Sequence, residues 1–391
     1  MQILYSHRTR SADGQYVHIR ALTDALRARG CPVAICGPGE DGDRAATRRL
    51  DAAGRGGAAA RAWPAAALYE AAELGYSAVG YRRLARVAAS LPSVDVLYER
   101  YNLFYHAGAR FARARGLPFI LEVNAPLADE RATNGGLALR PVAHWSEAGL
   151  WRAADAVLPV TGVLAAKATA LGVAPDRVTV IQNGVDDDFL APANGAAIRE
   201  AYGLGDRLVL GFTGFVRDWH GVDRILTFMA RSDRDDLHLL LVGDGPAREA
   251  LTRQAAAAGL AERFTVTGVV QRDAMPEHVA AFDIALQPAS VAYASPLKLF
   301  EYMAAAKPIL APAQANIQET LTDGEDAVLF DPADQDALPR ALAALIDDDG
   351  LRARLGAAAR ETLLRRKLTW AHNAERVEAI ARSLIERRAA A

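Results

Sequence analysis

With 391 residues, the chain has length for two domains, or three small ones, each with a full core. Its 45 Lys and Arg against 47 Asp and Glu leave a net charge of −2, so no global basic field attracts nucleic acid or an anionic membrane. Charged residues at 24% fit an ordinary soluble composition, and no apolar run is long enough to span a bilayer. The first residues enter a strand pattern with no signal peptide, so a cytoplasmic location is expected. Two cysteines, Cys31 and Cys36, make no disulfide framework and lack zinc spacing; they are expected as reduced, partly buried thiols.

Residues 2–6 form a short apolar run, followed by a polar loop to Gly14, a helical pattern to Gly30 and a second strand at 33–36. That order is a βαβ unit and predicts a parallel sheet. Gly14 lies in a loop at the carboxyl end of the first strand, where open α/β sheets bind ligands. Residues 38–62, rich in Gly, Asp, Arg and Ala, read as a loop or insertion. Residues 65–91 read as a helix carrying Arg82, Arg83 and Arg86, which admits a peripheral membrane contact; a solvated helix face is the other reading. Strands are predicted at 94–98, 119–123, 156–160 and 178–181, with helices at 104–115 and from Thr161 to Leu171. Residues 129–141 read as a loop. Asn124 stands at one strand's carboxyl end, and the domain junction is placed after 182.

The second half repeats the architecture, with strands expected at 208–212, 237–242, 264–267, 284–286, 309–311 and 328–330. The first runs into Gly214, Arg217, His220 and Gly221, a Gly-flanked basic loop suited to phosphate. Gly243, Asp244, Gly245 and Pro246 follow the second strand as a turn. The stretch of Ser295, Pro296, Leu297, Lys298 and Glu301 reads as a helix start, with Ser295 as N-cap and Pro296 in the first position. Lys298 opposes the helix dipole there unless an anion sits at the same end. A solvated Lys–Glu pair is the bland alternative. Three loops that present glycines, cations and helix N-termini at one sheet edge favour a nucleotide. Helices are expected at 336–347, 351–365 and 370–388.

Taken together, Gly14, the Asn183–Asp186 run, the Gly214–Gly221 loop, the Val242–Pro246 turn and the 295–304 stretch followed by Lys307 and Pro308 resemble the GT-B glycosyltransferases of retaining family 4. The resemblance implies an α/β fold of two facing Rossmann-like domains with parallel sheets and an interdomain cleft. Residues 1–182, with a final helix 370–391 packing back, would hold the acceptor; residues 183–369 would hold the nucleotide-sugar. It implies Glu301 on the ribose hydroxyls, the amides around Ser295 to Leu297 on the diphosphate with Lys298 beside it, and Arg217 near them. Gly14, Gly214 and Gly243 would line the donor. His220 stands where the family has a Lys, Phe215 where it has an Arg, Tyr293 where the Glu-x7-Glu signature has its first Glu, and Asn124 where many members have a His near the reacting sugar.

The expected activity is sugar transfer from a nucleoside diphosphate to a hydroxyl with retention, with Arg217, Lys298 and Asn124 as the catalytic set. No metal or other cofactor is expected. The acceptor would be a saccharide, a lipid-linked saccharide or a small molecule, most simply in polysaccharide or glycoconjugate synthesis. The alternative is a catalytically weak or inactive nucleotide-binding relative acting as a partner protein. An epimerase or phosphorylase of the same fold ranks below these, and a dehydrogenase lowest, since no GxGxxG fingerprint is present.

Overall fold

The computed structural model describes residues 1–9, 14–38, 63–134 and 136–390. Most of the loop expected over 38–62, and part of the one before Gly14, lie outside the described residues. The chain divides into two compact units, Met1–Gln182 with Asn373–Ala391, and Asn183–His372.

Unit 1 runs β1 (Ile3–Ser6), α1 (Gly14–Ala28), β2 (Val33–Cys36), α2 (Trp63–Ala89), β3 (Val96–Arg100), α3 (Ala107–Arg115), β4 (Phe119–Val123), α4 (Leu127–Thr133), α5 (Arg140–Ala153), β5 (Ala156–Pro159) and α6 (Gly162–Ala170). Its strands pair in parallel in the order β2-β1-β3-β4-β5. They are short apolar runs, fully buried in β1, β3, β4 and β5, as parallel strands covered on both faces require. Sequence order reverses between β1 and β3, which makes their carboxyl ends the switch point of this sheet. Cys31 and Cys36 are free and buried.

Four expectations for this unit are corrected. Residues 178–181 form no strand: Thr179 and Ile181 donate to the Val157 and Pro159 carbonyls of β5, but the return bond of a parallel ladder would come from residue 159, a proline with no N–H. The expected loop at 129–141 holds α4, docked by the Arg131–Glu73 pair (2.6 and 3.1 Å) and by the buried Glu147, which accepts from the Ala128 N–H in its first turn. The helix expected from 104 starts at Ala107, because Phe104 stands at φ 63°. On α2, Arg83 is buried while Arg82 and Arg86 are exposed, so the three arginines share no basic face.

Unit 2 runs α7 (Ala196–Ala201), β6 (Leu208–Thr213), α8 (Val222–Arg231), β7 (Leu237–Val242), α9 (Arg248–Ala257), β8 (Phe264–Val266), α10 (Met275–Ala280), β9 (Ile284–Leu286), α11 (Leu297–Ala304), β10 (Ile309–Pro312), α12 (Ala315–Gln318), β11 (Val328–Phe330), α13 (Ala337–Asp347) and α14 (Asp349–Arg365). Its parallel sheet has the order β11-β10-β9-β6-β7-β8, so the reversal falls between β6 and β9. The amphipathic α8 buries Val222, Ile225, Leu226 and Met229 against one face of this sheet, and α11 buries Leu299, Phe300, Tyr302 and Met303 against the other. The last helix, α15 (Trp370–Ala389), ties its later turns to unit 1 through Asn373 on the Gln182 carbonyl (2.7 Å), Arg376 on the Val180 carbonyl (2.8 Å) and the Arg29–Glu378 pair (2.8 Å). Among the described residues no helix is long and apolar enough to cross a membrane.

Candidate functional site

The strand reversal in unit 2 places the loop after β6 beside the loop that leads from β9 into α11. Tyr302 of α11 joins these strand ends: its hydroxyl accepts from the Thr213 N–H at 2.9 Å and lies 3.4 Å from the Leu286 carbonyl. The loops after β6 and β7 are tied as well. Gly214 donates to the Val242 carbonyl (2.9 Å) and Val216 to the Asp244 carbonyl (2.8 Å). Gly243 stands at φ +135°, and a Cβ there would overlap the Gly214 carbonyl oxygen. Only glycine permits that approach. Gly243→Ala is therefore expected to cost about 2–4 kcal/mol, from strained backbone plus steric overlap. Urea unfolding checks it, and an unchanged midpoint would contradict the packing described.

Gly214, at φ +118°, leaves room for Lys298, whose ammonium would stand 3.7 Å from a Cβ placed there. The Lys298 Nζ sits 3.5 Å from the centroid of the Phe212 ring. It has no hydrogen bond or ion pair among the described residues, and it is not sealed from solvent. Burial pushes its pKa down to about 7, with Glu301 pulling the other way. A lysine so placed gains from any anion that enters.

His220 is buried against Phe212 and Trp219, with ring centroids 5.3 and 3.9 Å away. Its Nδ1 accepts the Arg217 N–H at 2.9 Å. Burial, then Lys298 and Arg217, lower its pKa to about 3. His220 is thus a neutral ring with its proton on Nε2, offering an N–H but no charge. Arg217 is exposed; its guanidinium lies 5.2 Å over the exposed Phe215 ring and makes no hydrogen bond with the described residues.

At the start of α11 the capping differs from expectation. Pro296 takes the N-cap position with no side-chain cap, and Leu297 is the first helical residue. The Ser295 hydroxyl instead accepts from the Asn183 N–H (3.2 Å), and the Asn183 amide donates to the Ser295 carbonyl (2.6 Å). From the other side, buried Asn316 donates to the carbonyls of Val291 (3.1 Å) and Ala294 (2.7 Å). The segment carrying Tyr293 and Ser295 is therefore held at both ends by asparagines, and the first amides of α11 stay uncapped by a side chain.

One turn beyond Lys298, the buried Glu301 accepts from Arg272 through Oε1. Arg272 also forks onto Asp186 Oδ2, at 3.0 Å from Nε and 2.7 Å from Nη2, and its guanidinium lies 4.8 Å over the Phe189 ring. Burial acts to lower the Arg272 pKa, but Glu301 and Asp186 outweigh it and hold it above the ordinary value. Glu301 Oε2 has no partner among the described residues and is open to solvent. Arg272 carried no signal in the sequence, being a single cation in the loop after β8.

Gly214, Arg217, His220, Gly243, Tyr293, Ser295, Pro296, Leu297, Lys298 and Glu301 thus all belong to unit 2, on the loops and helix start at the carboxyl ends of β6, β7 and β9. Gly14 and Asn124 belong to unit 1. Gly14 is the exposed first residue of α1. Asn124 follows β4 and donates to Glu122 Oε1 at 2.5 Å. Glu122 is the hub of a buried polar cluster. Its Oε1 also meets Arg100 (2.5 Å), and its Oε2 meets Tyr98 (2.8 Å), His18 (3.1 Å) and Tyr5 (3.4 Å). Burial alone would push this carboxyl up, yet His18 and Arg100 hold it far below the usual carboxylate range. Nearby, His7 is kept neutral by burial and by Arg100, with its pKa down at about 4.

Two family models tile the chain: "Glycosyltransferase Family 4" over residues 12–189 and "Glycosyl transferases group 1" over residues 196–362. Among characterised relatives, the alpha-D-kanosaminyltransferase of Streptomyces kanamyceticus is 25% identical over 62% of this chain and 65% of its own length, a little under two thirds of that protein. The 2-deoxystreptamine glucosyltransferase of the same organism is 28% identical over 74% of each. Among solved structures, HepE from Anabaena in complex with UDP-glucose superposes with a TM-score of 0.75 over 98% of this chain and 100% of that one, at 16% identity, a likeness of fold. Each half is Rossmann-like, as in the GT-B fold, and the chain belongs to the group 1, family 4 glycosyltransferases.

Proposed function

We propose that the protein transfers a sugar from a nucleoside diphosphate to an acceptor hydroxyl with retention of configuration. The observation that carries this reading is that Lys298 Nζ and Glu301 Oε2, three residues apart on α11 at the switch point of unit 2, make no hydrogen bond or ion pair among the described residues. A cation and a carboxylate so placed suit a diphosphate and the ribose hydroxyls next to it. The first amides of α11, uncapped by a side chain, add positive potential, and the Arg217 guanidinium, which makes no hydrogen bond among the described residues, has its fork to close on the same phosphates.

In this reading the acceptor oxygen bonds to the anomeric carbon as the bond to the diphosphate breaks, on the same face of the sugar. The acceptor proton passes to the departing phosphate oxygen. Lys298, Arg217 and the helix amides stabilise the charge that grows on the leaving group, and positioning supplies the rest. No metal enters this scheme. Asn124, anchored on Glu122, is assigned to the acceptor side. The acceptor is a saccharide, a lipid-linked saccharide or a small molecule, and the relative that glucosylates 2-deoxystreptamine makes that compound a fitting trial acceptor.

The test is incubation with UDP-, GDP-, ADP- and dTDP-hexoses and an acceptor panel, with nucleotide release measured and product anomers assigned by NMR. Release of one nucleoside diphosphate and a product of unchanged anomeric configuration is expected; an inverted product would contradict the mechanism. A second reading, a nucleotide-binding protein without turnover, is favoured by Tyr293 in place of a carboxylate and by the neutral His220. It predicts nucleotide binding with no release from any donor.

A further inference from the structure

A carboxylate that selects ribose must be held still, because a Glu side chain has several freely rotating torsions and loses part of any binding gain when it is ordered. Glu301 is held by a residue remote in sequence. Arg272 meets its Oε1, while the other edge of the same guanidinium is fixed on Asp186 at 2.7 and 3.0 Å and its face lies over Phe189. The planar fork engages two carboxylates at once, which a point charge cannot reproduce. This leaves one Glu301 oxygen, Oε2, open to solvent and without a partner among the described residues.

We propose that Arg272 is a positioning residue: braced by Asp186 and Phe189, it clamps one oxygen of Glu301 and turns the other toward the ribose hydroxyls of the donor. The inference rests on the donor-site reading above and adds a residue from the loop after β8 to it. Arg272 acts through Glu301, so its loss should strike sugar discrimination in the nucleotide before it strikes diphosphate binding.

Calorimetric titration with UDP, GDP, ADP and ribothymidine diphosphate, each against its 2′-deoxy analogue, reads this directly. The wild-type protein is expected to favour the ribonucleotide of the pair it binds by about tenfold, the scale of one hydrogen bond to a charged acceptor. Glu301→Gln should reduce that preference to under twofold. Arg272→Gln should do the same while weakening the deoxynucleotide by less than threefold. Arg272→Lys, the milder change should the first variant fold poorly, should keep a preference of about threefold. Equal weakening of ribo- and deoxynucleotide in Arg272→Gln, or a wild-type preference in either Arg272 variant, would overturn the positioning role while leaving Glu301 in place. A wild-type preference retained in Glu301→Gln, or binding of no nucleotide from any pair, would overturn the donor-site reading and the inference with it.

Discussion

Replacing Lys298 by alanine is expected to reduce sugar transfer by roughly 100- to 1000-fold, the usual scale for losing one group that stabilises a leaving-group charge. The protein should still fold, since Lys298 forms no ion pair with the described residues and its ammonium is held over the Phe212 ring at a cost in hydration. Burial brings its pKa to about 7 and the neighbouring Glu301 only partly offsets that. A diphosphate supplies the missing counter-charge, so binding favours the ammonium form. Three consequences have definite sign. Nucleotide binding near pH 7 should take up a proton, visible as a dependence of the binding heat on buffer ionisation enthalpy. Affinity should fall as pH rises above 7, by up to about tenfold per unit, until the pKa of Lys298 in the complex is reached. In the free protein the unfolded chain binds this proton more readily between pH 7 and the ordinary value of 10.5, so Lys298 makes stability rise with pH across that window. Lys298→Ala should abolish the proton uptake along with most of the affinity. A variant that binds and turns over normally would remove the leaving-group role assigned to this residue.

Glu122→Ala is expected to have the largest effect on stability, about 3–5 kcal/mol, as when one partner of a buried ion pair is removed. Five side chains converge on this carboxylate. Without it the buried Arg100 keeps an uncompensated charge, and Tyr98, His18 and Asn124 lose an acceptor. For a unit of this size the melting temperature should fall by roughly 10 °C or more, read by calorimetric scanning. The pKa of Glu122 is depressed in the folded protein, so its contribution is present above the ordinary carboxyl value of 4.5 and is lost as pH falls below it towards the depressed one. The variant should therefore differ most from the wild type near neutral pH and least in strong acid. Because Asn124 hangs on Glu122, the acceptor side should suffer too: an intact acceptor KM in a folded Glu122→Gln protein would argue against the place given to Asn124.

The elements that were legible in the sequence share a physical reason. Parallel strands buried on both faces appear as short unbroken apolar runs, and strands such as Val33–Cys36, Phe119–Val123, Leu237–Val242 and Val328–Phe330 stand at the expected residues. Gly214 and Gly243 read as loop and turn glycines directly after such runs, and both stand at positive φ there. What was illegible depends on partners far along the chain. Ser295 looks like an N-cap until Asn183, 112 residues earlier, takes its hydroxyl. Residues 129–141 look loop-like because the groups that dock α4, Glu73 and Glu147, lie on other helices. Arg83 looks like part of a basic stripe, yet it turns inward. His220, standing where a Lys is expected, promises less charge from its residue type alone, but the burial that makes it a fully neutral ring comes from the packing around it. Arg272 is the clearest case, since its meaning lies wholly in Asp186 and Glu301, 86 and 29 residues away.

The most direct test of the donor site is calorimetric titration of the protein with UDP, GDP, ADP and dTDP, repeated on Glu301→Ala and Lys298→Ala. One nucleotide should bind well to the wild type, with Lys298→Ala losing most of that affinity and Glu301→Ala losing a part of it. Binding that is unchanged in both variants would contradict the site placed on α11.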